Sequence, residues 1–319
     1  MSDRDALQSS FLAQTTYADW IRSPLAGDAS ARRYVRLSKG DKTVILMDAP
    51  PENGEDTRPF QTVAAALTDD GLAAPDILVH DPKNGFMILG DLGRNDFATW
   101  LITHPGDSVT LYRAAADVAI RLNGRTLLPG LKRMTPETGA EMIELLHPHY
   151  TTMPIADLTN QMEAALATWA PEPDTMALRD YHAENLIWRP DQTGLDRVGL
   201  LDFQDAFMAP AGYDLASLLR DARRDIEPSL ASEIAAYFSD QTRQPDGFRT
   251  TLSCLAVQRN LRILAVFSRL AKARNKPRYL SFLPRVWAYL MDDLADPALK
   301  DLRAATLDCL QPPSKSQRP

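Results

Sequence analysis

A group of carboxylate and amide residues near the middle of the chain has the types and spacing needed for phosphoryl transfer. Asp180 is followed five positions later by Asn185, and Asp202 ends a short apolar run over residues 198–201. An Asp on such a loop can take the proton of an acceptor hydroxyl, while the Asn and a second Asp at a strand end can hold Mg²⁺. We therefore predict Asp180, Asn185 and Asp202 as catalytic residues, with Asn185 and Asp202 as the metal ligands.

A plainer interpretation is that these are turn residues flanking strands. Asp and Asn are common in turns because their side chains form hydrogen bonds with nearby backbone groups. That interpretation requires the loop spacing, the strand context and the second Asp to coincide by accident. The charge-rich transition state of phosphoryl transfer needs positioning and metal charge more than covalent help, so two carboxylates and one amide suffice.

The composition is that of an ordinary globular protein with room for one large domain or two lobes. The chain has 319 residues, 45% of them hydrophobic, and a formal net charge of -7, which argues against nonspecific nucleic-acid binding. No apolar run is long enough to span a bilayer, and Cys254 and Cys309 suit neither a disulfide framework nor a zinc site. We expect a cytoplasmic protein that acts on a small molecule, without nucleic-acid, membrane or obligate protein partners.

Hydrophobic periodicity predicts an α+β chain with a sheet-rich first part and a helical remainder. Helices over 4–21 and 59–67 and strands over 34–37, 43–47, 77–80 and 86–89 are predicted first, and the glycines at 90 and 93 indicate a bend. Helical periodicity then covers 108–122, 155–169, 213–223, 230–238, 252–270 and 282–294, with short strands over 176–178, 186–188 and 198–201. We place an N-lobe at 1–92, a C-lobe at 93–310 and a disordered tail at 311–319.

The motifs resemble those of the aminoglycoside phosphotransferase family, a branch of the protein-kinase-like fold, over nearly the whole chain. The matching segments are residues 178–185, 201–205 and 213–216. The resemblance implies a bilobal fold, with a small antiparallel β-sheet in the N-lobe and a larger, mostly helical C-lobe. It also implies ATP and Mg²⁺ as cofactors, Asp180 as catalytic base, and Asp214 as a brace for the catalytic loop. His182 either contacts phosphate or metal directly, or is satisfied by hydrogen bonds with the loop backbone.

Segments 46–52, 179–185, 202–206 and 258–264 resemble more closely the anomeric sugar kinases of cell-wall recycling. Those enzymes phosphorylate the C1 hydroxyl of N-acetylmuramate and N-acetylglucosamine with ATP. The resemblance therefore implies an ATP- and Mg-dependent sugar kinase, a phosphotransferase with an alcohol group as acceptor, in peptidoglycan recycling. Two alternatives stay open: a kinase of the same fold acting on choline, homoserine or an aminoglycoside, and a catalytically silent nucleotide-binding protein.

The predicted strand over 43–47 departs from the third strand of the kinase plan. In that plan the strand carries a Lys that pairs with the nucleotide phosphates and a helix Glu, and here Met47 stands at its position. Arg33 is our candidate for the replacement cation, because it lies two residues before Val35 and so faces the same side of its strand, toward the nucleotide. The alternative is an exposed hairpin charge.

The nucleotide-binding loop is also short of glycine. Gly27 stands alone, so the three residues up to Ser30 would have to cover the phosphates with small side chains and backbone N–H groups. We expect the adenine between Val35, Ile45 and the backbone of Leu89, Asp91 and Leu92. A plain core role is equally consistent with the apolar side chains of this set.

The acceptor site is predicted from an uneven charge distribution. Residues 247–290 contain no Asp or Glu but several Arg and Lys residues, including Arg259 and Arg262. One interpretation is a solvated basic helix face. The other is a cleft for a neutral or anionic acceptor, since polycationic aminoglycosides need carboxylates instead. We predict Asp180, His182, Arg223 and Arg259 as substrate residues, with Arg223 or Arg259 pairing with the lactyl carboxylate of N-acetylmuramate.

Overall fold

The structure, a computed structural model, describes residues 3–25 and 31–313 of the chain. Its helices are α1 (Asp3–Ala13), α2 (Arg58–Asp69), α3 (Phe97–Thr103), α4 (Ser108–Leu122), α5 (Pro136–Glu141), α6 (Leu146–His149), α7 (Ala156–Trp169), α8 (Tyr213–Leu219), α9 (Pro228–Thr242), α10 (Phe248–Ala273), α11 (Leu283–Asp293) and α12 (Lys300–Cys309). Its strands are β1 (Ile21–Pro24), β2 (Arg33–Lys39), β3 (Lys42–Asp48), β4 (Ile77–Asp81), β5 (Phe86–Gly90), β6 (Thr175–Ala177), β7 (Leu186–Trp188), β8 (Val198–Leu200) and β9 (Phe207–Ala209).

The first five strands form one antiparallel sheet in the order β1-β2-β3-β5-β4. Strands β2 and β3 form the predicted hairpin, in which Lys39 pairs with Lys42 across a turn. Gly40 in that turn has φ 59°, a left-handed conformation that glycine adopts without steric cost. The hairpin prediction is therefore confirmed, and its turn residue explains where the chain reverses.

Helix α1 covers one face of this sheet. Phe11 and Leu12 of α1 are buried in one cluster with Leu37 of β2, Leu46 of β3 and Ile88 of β5. Removing each such side chain from water stabilises the fold by about 1.5–3 kcal/mol. This part of the face is thereby occupied by protein.

The other large core is helical and is built around α10. Its 26 residues include a long buried face, on which Leu255, Leu261 and Leu264 are fully enclosed. The same cluster contains buried residues of α5, α7, α8, α11 and α12. Among the residues described, no helix combines the length and apolar character needed to cross a membrane.

Most predicted elements are present, with changed ends. Helix α4 has the predicted bounds, whereas α10 is longer than predicted and α8 ends at Leu219 instead of continuing to residue 223. The first helix ends at Ala13, because residues 21–24 pair with β2 as an edge strand instead of continuing the helix. Helix periodicity cannot report such pairing, since the partner strand is distant in sequence. Helices α3, α5 and α12 and strand β9 were not predicted.

The chain forms two compact units. The described residues up to Asp96 form the first unit together with Leu186–Asp205, and Phe97–Asn185 with the described residues from Ala206 onward form the second. A single division after residue 92 would put Leu186–Asp205 in the second unit. Backbone hydrogen bonds attach this segment to the first instead, from Leu200 N to Ala73 O (2.8 Å) and from Trp188 N to Asn95 O (2.7 Å).

Candidate active site

The loop that carries Asp180 and Asn185 follows β6 in the second unit and is anchored by Asp214. The Asp214 carboxylate, at the start of α8, accepts hydrogen bonds from the backbone nitrogens of Leu178 (2.6 Å) and Arg179 (3.0 Å). Arg179 has φ 75°, a left-handed conformation that costs free energy in a residue other than glycine. The two bonds hold this strained turn, which confirms the prediction that Asp214 braces the loop.

Further hydrogen bonds fix the loop from within and from its neighbours. The Asn185 side-chain nitrogen donates to the backbone oxygen of Asp180 (2.8 Å), so the amide oxygen is left as its outward-facing acceptor. The Tyr181 hydroxyl donates to Ala115 O (2.8 Å), and the buried Asp221 carboxylate accepts from Ala183 N (3.3 Å). The loop is therefore rigid before any ligand binds, as precise positioning requires.

His182 is buried in this loop and is neutral. Burial lowers the pKa of His182 well below its usual range, and the charges of Arg223 and Arg259 lower it further. Arg223 Nη1 lies 3.2 Å from His182 Nε2, and because a guanidinium can only donate, Nε2 must be the acceptor. The proton therefore sits on Nδ1, which has no hydrogen-bond partner among the described residues.

The predicted substrate residues Arg223 and Arg259 differ in their partners. Arg223 Nε lies 2.9 Å from a Glu184 carboxylate oxygen, so its charge is compensated within the fold. Arg259 is 4% exposed, and its Nη1 has no hydrogen-bond partner within residues 3–25 and 31–313. Of the two predicted cations, Arg259 is the one that forms no ion pair in the described part of the chain, although its charge partly offsets the burial that raises the pKa of Asp214.

Arg262, one helical turn after Arg259 on α10, belongs to the same group of charges. Burial lowers the pKa of Arg262; Tyr213 and Asp180 raise it, while the guanidinium groups of Arg179 and Arg259 lower it. The Tyr213 hydroxyl is buried and has no hydrogen-bond partner in the described part of the chain. Asp180 thus shares the electrostatic environment of several cations and an unpartnered phenol.

Asp202 lies in the first unit, directly after the hairpin of β7 and β8. It has φ 57°, a left-handed conformation, and its Oδ1 accepts a hydrogen bond from Gln204 Nε2 (2.9 Å). Phe203 is buried against Phe60 of α2, with ring centroids 4.9 Å apart, and this packing fixes the strand end. Burial raises the pKa of Tyr34 on β2, and the Asp202 charge contributes to that rise. The charge of Asp202 therefore acts on the Tyr34 side chain.

The strand register separates two predicted adenine contacts. Val35 pairs with Leu46 and packs on the face covered by α1, whereas Ile45 pairs with Leu89 on the opposite face. Alternate residues of a strand point to opposite faces. The prediction that Val35 and Ile45 enclose one adenine is therefore wrong, while Ile45 and Leu89 are brought together.

Arg33 lies on the α1 face as well, because it is two residues before Val35. Its Nη2 lies 2.9 Å from the carboxylate of Asp48, which also accepts Arg4 Nη2 at 2.6 Å, and its side chain is 55% exposed. Arg33 does lie on the same face of β2 as Val35, but that is the face on which α1 packs. The structure therefore does not support the prediction that Arg33 points toward the nucleotide.

The remaining nucleotide predictions concern the end of β5 and the loop before β2. The Asp91 carboxylate accepts two hydrogen bonds from Arg36, at 2.6 and 3.0 Å, and Leu92 follows it beside Gly199. Ser30 and the rest of the glycine-poor loop, residues 26–30, lie outside the described residues. Ile45, Leu89, Asp91 and Leu92 stay predictions.

Sequence reasoning missed an ion pair on the Tyr34 side of the sheet. Arg32 Nε lies 2.7 Å from Glu55 Oε2, and both side chains are largely buried. Tyr34, two residues after Arg32, is paired with Met47 across the hairpin. Because Met47 pairs with Tyr34, alternation along the strand puts Arg32, and not Arg33, on the same face as Met47. The sequence alone could have indicated Arg32 once this hairpin register was assumed.

Comparison with known proteins agrees with this arrangement. The family model described as the phosphotransferase enzyme family matches residues 22–249. The chain is 35% identical to an N-acetylmuramate/N-acetylglucosamine kinase of Caulobacter vibrioides, over 95% of this chain and 96% of that protein. It is 32% identical to a protein of the same name from Pseudomonas aeruginosa, over 84% and 82% of the two chains. The chain belongs to the phosphotransferase enzyme family.

The fold has counterparts among solved structures. A choline kinase from Streptococcus pneumoniae superposes with a TM-score of 0.67 at 14% identity, covering 95% of this chain and all of that one (100%). At this identity the likeness concerns the fold alone. It confirms the predicted kinase-like fold, with an antiparallel sheet followed by a mostly helical region.

Proposed function

We propose that the protein transfers phosphate from ATP to the anomeric hydroxyl of N-acetylmuramate and N-acetylglucosamine in cell-wall recycling. Two relatives that match most of the chain are named as kinases of these two sugars. The structural observation that carries the proposal is the loop held by Asp214, which presents Asp180 and Asn185 from a rigid turn. ATP is the donor that family membership implies.

In the proposed reaction, Asp180 accepts the proton of the C1 hydroxyl. The sugar oxygen forms a bond to the γ-phosphorus as the bond between that phosphorus and the bridging oxygen of ADP breaks. The proton goes to the Asp180 carboxylate, and the products are sugar 1-phosphate and ADP. General-base catalysis of this kind contributes about 10²–10⁴-fold to the rate.

The residues present fit a magnesium ion. Mg²⁺ prefers oxygen ligands, and Asp202 supplies carboxylate oxygens while Asn185 supplies an amide oxygen whose nitrogen is held by Asp180 O. We propose Asn185 and Asp202 as its ligands. When bound, the metal ion offsets the negative charge of the nucleotide phosphates. Asp180 remains the group that takes the proton.

For the nucleotide and the acceptor, the predictions are retained in part. Ile45, Leu89, Asp91 and Leu92 are proposed around the adenine, and Ser30 at the phosphates. At the acceptor we propose His182, through its protonated Nδ1, together with Arg259. Arg223 is retained as a residue that orients His182, since it donates to Nε2 and pairs with Glu184.

The charge around Asp180 disfavours the cationic acceptors among the alternatives. Choline and aminoglycosides carry positive charge, and the group formed by Arg179, Arg259 and Arg262 would repel them. A neutral or acidic sugar meets no such repulsion. Because ATP is the donor and both cysteines are unpaired thiols, we propose the cytoplasm as the location.

A turnover assay tests the proposal. Consumption of Mg·ATP is measured with N-acetylmuramate, N-acetylglucosamine, choline and kanamycin, for the wild type and for Asp180→Ala. We expect turnover of the amino sugars that falls by about 10²–10⁴-fold in the variant, while its thermal unfolding midpoint stays close to that of the wild type. Turnover of choline or kanamycin alone, or ATP binding without turnover of any acceptor, contradicts the proposal.

A further inference from the structure

We propose that Arg259 and Arg262 bind the carboxylate of an acidic sugar acceptor and so select it over its neutral counterpart. This inference rests on the proposed function and deepens it. N-acetylmuramate carries a lactyl carboxylate that N-acetylglucosamine lacks. The two arginines therefore discriminate between two sugars that the same catalytic loop would phosphorylate.

The first argument is that the fold gives these two side chains no counter-charge at hydrogen-bond distance. Within residues 3–25 and 31–313, neither Arg259 nor Arg262 forms an ion pair, and Arg259 Nη1 is buried without any hydrogen-bond partner. Burying a charge without an ion-pair partner is energetically unfavourable. A bound carboxylate would supply the missing charge.

The second argument is the contrast with other arginines of the same unit. Arg223 is paired with Glu184, Arg220 Nη2 lies 2.6 Å from Asp293 Oδ1, and Arg285 is paired with Asp225. Arginines that serve the fold therefore have carboxylate partners here. Arg259 and Arg262 are three residues apart on α10, so they project from the same side of the helix and can act together.

Arg259 and Arg262 also share their electrostatic environment with Asp180, the proposed base. The charges of Arg262 and Arg259 and that of Asp180 all act on the Tyr213 hydroxyl, which is itself buried and unpartnered among the residues described. A planar guanidinium matches a carboxylate in a bidentate geometry, and the phenol adds a neutral donor. The acceptor can thus be held by its acidic group while its hydroxyl faces Asp180.

The test compares the kcat/KM values of Arg259→Met and Arg262→Met for the two sugars. Arg249→Met, on the exposed first turn of α10, is the matched control. We expect each of the two variants to lose about tenfold to hundredfold in kcat/KM for N-acetylmuramate, the value of a charged hydrogen bond. For N-acetylglucosamine, and for the methyl ester of N-acetylmuramate, the change should stay within about threefold.

Several outcomes separate this inference from the proposed function. Equal losses of kcat/KM for both sugars would assign the arginines to the transferred phosphoryl group and overturn the inference. Unchanged kcat/KM values for both sugars would overturn it as well. A wild type that phosphorylates neither sugar refutes the proposed function and the inference together. Arg262→Lys, which keeps the charge, should retain part of the preference, and thermal unfolding of each variant shows that it is folded.

A separate observation in the first unit carries a second proposal: we infer that Arg32 supplies the cation that β3 lacks. Met47 stands at the Lys position, and its cross-strand partner is Tyr34. Arg32 precedes Tyr34 by two residues and so lies on the same side, whereas Arg33 lies on the face covered by α1. Tyr34 is also the side chain on which the Asp202 charge acts.

The partner of Arg32 supports the same role. Glu55 binds Arg32 Nε at 2.7 Å and accepts a hydrogen bond from Ala31 N at 3.3 Å. In the kinase plan the strand Lys is held by a Glu while it contacts the phosphates. Glu55 orients Arg32 through Nε, and a guanidinium carries several N–H donors, so we place this group at the phosphate oxygens.

Adjacent arginines provide a matched test. Binding of ADP and of adenosine is measured by calorimetry for the wild type, Arg32→Gln and Arg33→Gln. We expect Arg32→Gln to weaken ADP binding by about tenfold or more and to leave adenosine binding unchanged, with Arg33→Gln like the wild type. Equal weakening of ADP and adenosine indicates a structural role for Arg32 and contradicts the inference, as does a loss confined to Arg33→Gln.

Discussion

Four arginines of the first unit and two of helix α10 differ in whether the fold provides a carboxylate for them. Arg4 and Arg33 share Asp48, Arg32 binds Glu55, and Arg36 binds Asp91. Arg259 and Arg262 of α10 have no ion pair within the described ranges, although Arg259 is buried. Arginine therefore stabilises the fold in the first unit, whereas on α10 we propose that it binds a ligand.

In the first unit the ion pairs join elements that are distant in sequence. Asp48 is 44 residues from Arg4, and Asp91 is 55 residues from Arg36. These pairs fix α1 and the end of β5 against the hairpin. On α10 we propose instead that Arg259 and Arg262 bind the acceptor. Leaving them without ion pairs lowers the free energy of unfolding. A binding site commonly carries such a cost, because it is built for a ligand.

The largest effect of a single substitution at fixed pH is expected from removing a paired carboxylate. Asp48 is fully buried and accepts two hydrogen bonds from Arg4, whose side chain is 10% exposed. Asp48→Asn leaves that guanidinium with only the exposed Glu52, 3.8 Å from Arg4 Nη1, as a counter-charge. We expect a loss of about 3 kcal/mol in the free energy of unfolding. Urea unfolding monitored by circular dichroism measures it.

An exposed pair serves as the control for Asp48. Lys39 and Asp19 are 2.6 Å apart, but their side chains are 59% and 66% exposed. Water screens such a pair, so Lys39→Ala should leave the unfolding curve unchanged within error. If Asp48→Asn behaves like Lys39→Ala, the first unit does not depend on its buried ion pairs, and the comparison between the regions loses its basis.

The next effect concerns Asp214, a buried carboxylate that holds backbone amides instead of a cation. Burial raises the pKa of Asp214 from its ordinary value of 3.8 to about 7. The unfolded chain then releases this proton at lower pH than the folded one. The stability contributed by the protonated group is complete below about pH 4 and is lost as the pH rises through about 7.

We therefore expect the unfolding free energy of the wild type, measured relative to Asp214→Asn, to fall with rising pH. The slope should approach about 1.4 kcal/mol per pH unit between about pH 4 and pH 7, and level off above that range. Urea unfolding of both proteins across this range provides the measurement. Parallel curves would show that Asp214 does not change its protonation there.

The smallest effect has the opposite sign and concerns the unpaired cations. Burial lowers the pKa of Arg262, so the folded state disfavours its charge. Arg262→Met removes that charge. We expect the variant to be more stable than the wild type by about 1 kcal/mol, as measured by urea unfolding. A loss of stability would show that Arg262 serves the fold.

Arg220→Met is the matched comparison within the same unit. Arg220 forms two hydrogen bonds with Asp293 through its Nε and one through Nη2, and Asp293 is 3% exposed. Its removal leaves a buried carboxylate without its cation, so this variant should be less stable than the wild type. Opposite signs for Arg220→Met and Arg262→Met would sharpen the distinction between arginines that serve the fold and those that serve a ligand.

Much of the fold was predictable because its signals are local. Apolar residues at helical spacing place α4 and most of α10, and the turn at Gly40 between two β-branched runs places the hairpin of β2 and β3. Strand β1 and the short helix α3 were not predicted, because each is too short for periodicity to show. The loop residues Asp180 and Asn185 were predicted from spacing alone.

The nucleotide side was predicted less well because it depends on strand register. A shift of one residue moves every side chain of a strand to the other face. The pairing of Val35 with Ile45 was an error of this kind, and the choice between Arg33 and Arg32 depends on the same register. The hairpin could be predicted from the turn, but the face covered by α1 could not, since α1 lies far away in sequence.

By itself, the sequence determined the chemistry: a loop with a base and an amide, a second carboxylate after a strand, and an acid-free helix rich in arginine. These features are set by residue type and short spacing. Only the tertiary structure decided which arginines have partners, which face of the sheet is covered, and to which unit Leu186–Asp205 belongs. Those properties depend on contacts between residues tens of positions apart, which no local pattern encodes.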